Sequence, residues 1–341
     1  VNLGATKEES ESGKPSSVEP KSIGQILYLA IFFFLIIAAF WTLKPLRTAG
    51  VIKAFGADYY PLFKQGVAII IPMIIPIYYL FTSFLDRTQI IYVFILFLSV
   101  ANISLWWMFE HLQSHWVQAG FFFYVDAFVT IMVTLFFTYL NQIYDSAHAK
   151  KSWAYIGCGG ILGGIAGSSI SGWLSALLGN QIILTANLFI LPIIFIIHRL
   201  EYYPSVKVFK KEILCGKDTK SSWEIFYEGI RVVFKSKYLL CIVSIVGFYE
   251  IVSTIIDYQF AEILSKIFTS PHEMAGFHGK VFFIAQIGSL LVQLLITPYI
   301  LKRYGQFPAL LFLPLTLLLG SVAFMVFLWP LIIIASIGME A

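Results

Sequence analysis

The chain is 341 residues long, 59% hydrophobic and only 12% charged, with a net charge of +4 and a mean hydropathy of +0.82. Soluble domains carry about 25% charged residues, so this composition excludes an ordinary soluble enzyme and predicts an all-α multi-pass membrane protein. The modest charge offers no footprint for nucleic acid, and Cys158, Cys215 and Cys241, without redox or metal spacing, read as reduced and structural.

Residues 1–22 are polar, with mixed Glu, Lys and Ser. They predict a disordered tail rather than a signal peptide, because no small-residue cleavage site follows the first apolar run. The start at Val1 and the stop at Ala341, just after a fresh apolar run, read as a piece of a longer protein.

A bilayer crossing needs about 20 apolar residues. The first such span, 23–44, ends in Trp41-Thr42-Leu43-Lys44-Pro45-Leu46-Arg47. Lys44 and Arg47, three residues apart, share a helix face. At the bilayer centre each costs about 2.5–3.5 kcal/mol unless it meets water, a counter-charge or an anionic ligand. Two readings stand: the pair snorkels at the outer interface, or it lines an anion site. Pro45 between them interrupts the backbone ladder and favours a shaped site.

The second span, 61–85, opens with Pro61-Leu62-Phe63-Lys64, where Lys64 is either a third site charge or another snorkelling residue. After the third, 89–109, Glu110, His111 and His115 have metal-like spacing without a third ligand. Trp106, Trp107 and Trp116 beside them have the composition of an interfacial belt, so no metal is expected. The fourth span, 117–141, holds Asp126 well inside it. Thr130, Thr134, Thr138 and Asn141 follow within roughly a 120° arc. The stripe faces a water-filled cavity or a neighbouring helix; interhelical hydrogen bonds of about 0.6 kcal/mol account for the threonines, whereas Asp126 points to function.

The fifth span, 153–178, carries Ile156-Gly157-Cys158-Gly159-Gly160-Ile161-Leu162-Gly163-Gly164-Ile165-Ala166-Gly167-Ser168-Ser169. No Gly-Lys-Ser/Thr follows, which excludes a phosphate loop. The spacings Gly159/Gly163/Gly167 and Gly160/Gly164 predict close helix packing. The sixth span is 181–198, and 199–237 is a Lys-rich linker. The seventh, 238–267, carries Glu250, Ser253, Thr254, Asp257, Gln259 and Glu262. Glu250 and Asp257, two turns apart on one face, fit a proton relay, an ion site, or partners for Lys44 and Arg47. Glu250 also fits an interfacial position. Spans 281–301 and 308–328 follow, and 330–338 begins a tenth.

Six helices, a basic loop and further helices predict a two-bundle transporter. Its parts are an N-terminal bundle over 23–198, a basic linker over 199–237 and a partial C-terminal bundle over 238–341. Leu85-Asp86-Arg87 and Leu301-Lys302-Arg303 fit a weak repeat of the halves. Arg87, Lys150, Lys151, the linker, Lys302 and Arg303 all fall in even-numbered loops, which places the N-terminus in the cytoplasm.

Asn141-Gln142-Ile143-Tyr144-Asp145-Ser146-Ala147-His148-Ala149-Lys150-Lys151, followed by Ile156-Gly157-Cys158-Gly159, resembles the Asn-Glu-Ile, Ala-Lys-Arg and Gly-x-Gly pattern of the non-mitochondrial ATP/ADP translocases. Pro61-Leu62-Phe63-Lys64 is similar to that family's Pro-Phe-Leu-Lys. Thr42 to Arg47 resembles its Arg-x-x-Lys segment with the cations exchanged, and Ile256-Asp257-Tyr258 falls at its Val-Glu-Val. The family's fourth-helix Glu falls nearest Val125, with Asp126 adjacent. Tyr258-Gln259-Phe260 is closer to the bacterial branch. The resemblance implies a major-facilitator-like fold, of which about nine to ten of twelve helices are present here, in a bacterial inner membrane.

It also implies nucleotide exchange by alternating access between two bundles. The substrate-binding residues expected are Lys44, Arg47, Lys64, Asp126, Asn141 and Asp257, with Asp257, Glu250 and Asp126 in coupling or gating. Lys44 and Arg47 grip phosphate oxygens; Asp126 and Asp257 hold those cations in the empty state. The partners are a nucleotide or another anionic small molecule, arriving with or without Mg²⁺, and the lipid bilayer. A monomer without a cofactor is expected. Two alternatives remain open: a proton-coupled symporter with Asp126 and Asp257 as proton carriers, and a non-transporting membrane sensor or anchoring module.

Overall fold

The computed structural model describes residues 23–84, 87–112, 114–143, 146–201, 222–296, 299–300 and 303. Every regular element among them is helical. In lipid a helix satisfies its own backbone donors and acceptors, so apolar runs of this length have few other options. The helices are α1 (Ile23–Phe55), α2 (Tyr60–Phe84), α3 (Arg87–His111), α4 (His115–Ile143) and α5 (Ser146–Leu178). Three short ones follow, α6 (Ile182–Thr185), α7 (Asn187–Ile190) and α8 (Ile193–Glu201), then α9 (Ser222–Lys235), α10 (Lys237–Ile267) and α11 (Pro271–Leu291). Six segments are long and apolar enough to cross a membrane: Gly24–Phe55, Gln89–His111, His115–Leu140, Tyr155–Thr185, Lys237–Ile267 and Pro271–Leu295. The protein is a helical, multi-pass membrane protein.

Several boundaries differ from the sequence expectation. The first helix runs to Phe55 instead of ending near Lys44, with Pro45 inside it. A proline removes one donor, here the one that the Trp41 carbonyl would accept, and packing by neighbouring helices carries the helix past that gap. Lys44 and Arg47 consequently lie mid-helix, Lys44 half-buried and Arg47 1% exposed. Arg47 therefore does not snorkel. The sixth span is three short helices, broken before α8 at Pro192. The second half of the expected linker is α9, which rests on α2. Ser236 then caps α10, its hydroxyl accepting from the Leu239 N–H at 3.4 Å. The eighth span starts at Pro271, where proline takes a first-turn position. His272, Glu273, His278 and Lys280 lower the hydropathy of that stretch and hid its helical start.

The tail, residues 202–221 with Cys215, the ninth and tenth spans, and Asp86 and Lys302 lie outside the described residues. So do the side chains of 141–154, including Asn141 and the motif that starts there.

Helix α1 is the centre of the fold, packed on α5, α4 and α11. Against α4 it buries aromatics: Phe33 stacks on Phe136 at 4.8 Å between ring centroids, and Phe32 meets the same ring edge-on at 5.2 Å. Against α5 it packs backbone to backbone. A Cβ on Gly159, Gly163 or Gly167 would strike the carbonyl oxygens of Ala30, Phe34 and Ala38 respectively. Steps of four on both helices, rising together, make the pair parallel and require glycine at each step. The opposite side of α5 meets α11. Gly172 and Gly279 touch through their backbones, while Gly164 faces Gln286 and Gly157 faces Gln293. These positions fall in reverse order, so α5 and α11 are antiparallel.

Candidate functional site

Charged side chains gather where α1 meets α4 on one side and α10 and α11 on the other. Arg47 of α1 forms an ion pair with Asp126 of α4, the two side chains 1% and 12% exposed. The guanidinium also donates from Nη1 to the Phe122 carbonyl oxygen at 3.4 Å and lies 4.5 Å from the centre of the Phe122 ring. Phe122 and Asp126 are one turn apart on α4, so one helix face supplies ring, carbonyl and carboxylate together. Arg47 Nε has no hydrogen-bond partner. A guanidinium has five N–H donors, so part of this one's donor capacity is unused.

Lys44 is compensated differently. Its Nζ lies 4.5 Å from the Trp41 ring centre, 4.6 Å from Phe282 on α11 and 5.9 Å from Phe40. Among the described residues no carboxylate comes within ion-pair distance of it. Each cation–π contact supplies about 0.5–2 kcal/mol, so the rings together offset much of the cost of placing a lysine in mid-membrane, about 2.5–3.5 kcal/mol. Lys44 is thus held by rings where Arg47 is held by a carboxylate.

Lys64 of α2 stands 3.8 Å from Asp257 of α10, the side chains 16% and 20% exposed. The next residue on α10, Tyr258, donates its hydroxyl hydrogen to Asp58 Oδ1 at 3.2 Å, in the turn between α1 and α2. Sequence reasoning paired Asp257 with Lys44 or Arg47. The structure pairs it with Lys64, because α10 approaches α2 and that turn as well as α1. Glu250, two turns earlier on α10, is exposed. Thr130 and Thr138 are half-buried and Thr134 is exposed, so the threonine stripe does not face a single environment.

Two features were missed from the sequence. A polar network joins α3, α4 and α7: Tyr124 donates to Asn102 Oδ1 at 2.8 Å, and Asn102 donates to Asn187 Oδ1 at 2.8 Å. Asn187 in turn donates to the Ser99 carbonyl at 3.3 Å. Its members satisfy one another, and the role is to join helices. The second feature is His278 on α11, 3% exposed, with Nδ1 unpartnered. An isolated polar residue inside an apolar span was the available signal for both.

The metal-like group separates. Glu110 accepts from Asn180 at 3.3 Å, His111 stacks on Trp107 at 4.7 Å, and His115 lies against Phe55 at 6.0 Å. Among the described residues no three His, Cys, Asp or Glu side chains are grouped to hold a metal ion.

A family model described as TLC ATP/ADP transporter matches residues 97–335. The matched stretch includes Asp126, Asn141, Glu250, Asp257 and His278, and it begins after Lys44, Arg47 and Lys64. No curated protein and no solved structure matches the chain.

Proposed function

Since the matched stretch is well over half of its length, this chain belongs to the TLC ATP/ADP transporter family, and from that premise we propose that it exchanges nucleotides across the membrane by alternating access. The observation that carries the reading is the unlike compensation of two cations one turn apart. Arg47 has a carboxylate and unused donors, while Lys44 rests on aromatic rings with no carboxylate in ion-pair range among the described residues. A polyphosphate meets both needs. Its oxygens accept from the planar guanidinium fork and give the ammonium a counter-charge.

Asp126 pairs with Arg47, and Asp257 with Lys64. Incoming phosphate competes with Asp126 for Arg47 and draws Lys44 away from Trp41 and Phe282. Phe282 belongs to α11 and Trp41 to α1, so substrate occupancy alters a contact between the two halves. That is the coupling an exchanger needs, since a carrier that reorients only when loaded moves one nucleotide in for each one out. Asp257 and Lys64 form a second link between the halves that must open in the same movement. Glu250 lies on the same helix as Asp257, two turns before it, and is the third acidic residue assigned to coupling.

The orientation that accompanies this reading has the N-terminus in the cytoplasm of a bacterial cell. Cysteine-specific labelling of Ser114→Cys and Lys235→Cys should then mark opposite membrane faces, and same-side labelling overturns it.

The decisive measurement is uptake of labelled ATP and ADP into liposomes containing the protein. Uptake should require nucleotide inside the liposome and ignore an imposed pH gradient. Uptake into empty liposomes driven by a pH gradient supports the proton-symport alternative. Nucleotide binding unchanged in both Arg47→Lys and Lys44→Ala removes this pair as the phosphate site.

A further inference from the structure

Ser99, Trp106, Tyr139, His272 and His278 each bury a polar side-chain atom without a hydrogen-bond partner, and of these His278 adjoins the ring that Lys44 rests on. His278 of α11 is 3% exposed and its Nδ1 has no partner. Its ring packs against two aromatic rings: Phe282 at 4.7 Å, one turn along the same helix, and Phe260 of α10 at 5.1 Å. Phe282 in turn meets Trp41 of α1 at 4.7 Å between ring centres. The four rings form a continuous wall, Phe260–His278–Phe282–Trp41, crossing from α10 and α11 to α1. Lys44 sits at the Trp41–Phe282 end of it.

A wall of phenylalanines needs no imidazole, and an imidazole nitrogen buried without a partner is costly to maintain. Its neighbours give it no reason to be there; a ligand does. The ligand must present a flat aromatic face to rings and a hydrogen-bonding edge to a group that both donates and accepts. It must also carry negative charge within reach of Lys44. A neutral imidazole has one donor and one acceptor nitrogen, which suits the ring-nitrogen and exocyclic-amine edge of a purine.

We infer that Trp41, Phe282 and His278 form the nucleobase subsite of this transporter, with the rings stacking the base and His278 reading its edge. This rests on the nucleotide-exchange reading and extends it from the phosphates to the base. In the described conformation the ammonium of Lys44 covers the stacking faces of Trp41 and Phe282. Phosphate takes the ammonium, and the uncovered rings receive the base, so a base without phosphate finds the subsite blocked. Adenosine therefore binds poorly, and inorganic tripolyphosphate binds through the cations alone.

The test is competition against labelled ATP in liposomes containing the protein, using ATP, CTP, adenosine and tripolyphosphate as competitors. Stacking and one hydrogen bond together should make ATP at least tenfold better than tripolyphosphate. Phe282→Ala should reduce that ratio about tenfold, because ATP loses a stacking ring while tripolyphosphate, which no longer competes with that ring for Lys44, inhibits as well as before or better. His278→Phe, which keeps the ring packing, should remove the preference for ATP over CTP, and His278→Gln, which keeps a donor and an acceptor, should restore part of it. Both histidine variants are to be compared with the parent in detergent for monodispersity, and the Gln variant decides the matter if the Phe variant is misfolded. An ATP-to-tripolyphosphate ratio unchanged in Phe282→Ala, or an ATP-to-CTP ratio unchanged in a folded His278 variant, overturns the subsite while nucleotide exchange stands. A parent protein that takes up no nucleotide overturns the exchange reading first, and the subsite with it.

Discussion

Helix α1 makes two kinds of interface within one continuous rod. Along Ala30, Phe34 and Ala38 it lies against the glycines of α5 with backbone touching backbone. From Phe40 onward it faces α4, α10 and α11 through long charged and aromatic side chains. A backbone contact has one geometry and no rotamers with which to adjust. An ion pair or a cation over a ring has several partners of similar energy within reach, and a ligand can substitute for one of them. The α1–α5 seam is suited to a rigid body, and the Lys44–Arg47 end to a surface that is remade in each cycle.

Four substitutions separate these two regions. The largest effect is expected at Gly163→Leu, because even a Cβ there strikes the Phe34 carbonyl oxygen. Overpacking costs about 1–3 kcal/mol where side chains can move, and here backbone must move, so monodisperse protein should be almost lost. Normal yield and uptake would show that the seam tolerates separation.

Asp126→Ala comes next. Removing one member of a buried ion pair destabilises by about 3–5 kcal/mol, because the other charge is left uncompensated. Thermal unfolding in detergent should fall accordingly, and Arg47→Met combined with Asp126→Leu should recover most of the loss. Equal stability of the single variant and its parent would mean that water reaches Arg47.

Arg47→Lys keeps the charge and loses the fork. Nucleotide affinity should drop by the worth of one charge-assisted bond, about 1.5–3 kcal/mol or some ten- to hundredfold. Equilibrium binding of labelled ATP checks it. The smallest effect on stability belongs to Asp257→Asn. Its 3.8 Å pair with Lys64 is partly exposed and contributes about 1 kcal/mol or less. Binding should survive while exchange slows, as measured by the efflux of preloaded label. Efflux at the parent rate would leave Asp257 without a part in the cycle.

Much of the fold was legible in the residues because lipid permits few alternatives. An apolar run of sufficient length becomes a helix, and glycines four residues apart mark a close helix contact; α1 to α5 and α10 follow those rules. Where polar residues dilute the run, as at His272 to Lys280, or where Pro45 stands inside it, the hydropathy pattern misplaced the ends. The family was legible from short motifs, above all the run beginning at Asn141.

The sequence by itself determined that this is a helical membrane protein, which cations share a face of the first helix, and that Gly159, Gly163 and Gly167 face a neighbour. Only the tertiary structure decided who stands opposite whom. It assigned Asp126 to Arg47, gave Asp257 to Lys64, and put Phe282 beside Lys44 with His278 against Phe282. The reason is one of range. Helical periodicity orders residues a few positions apart, whereas the partner of Lys44 lies on α11, and its place there depends on how α5 fits between α1 and α11 along two rows of glycine.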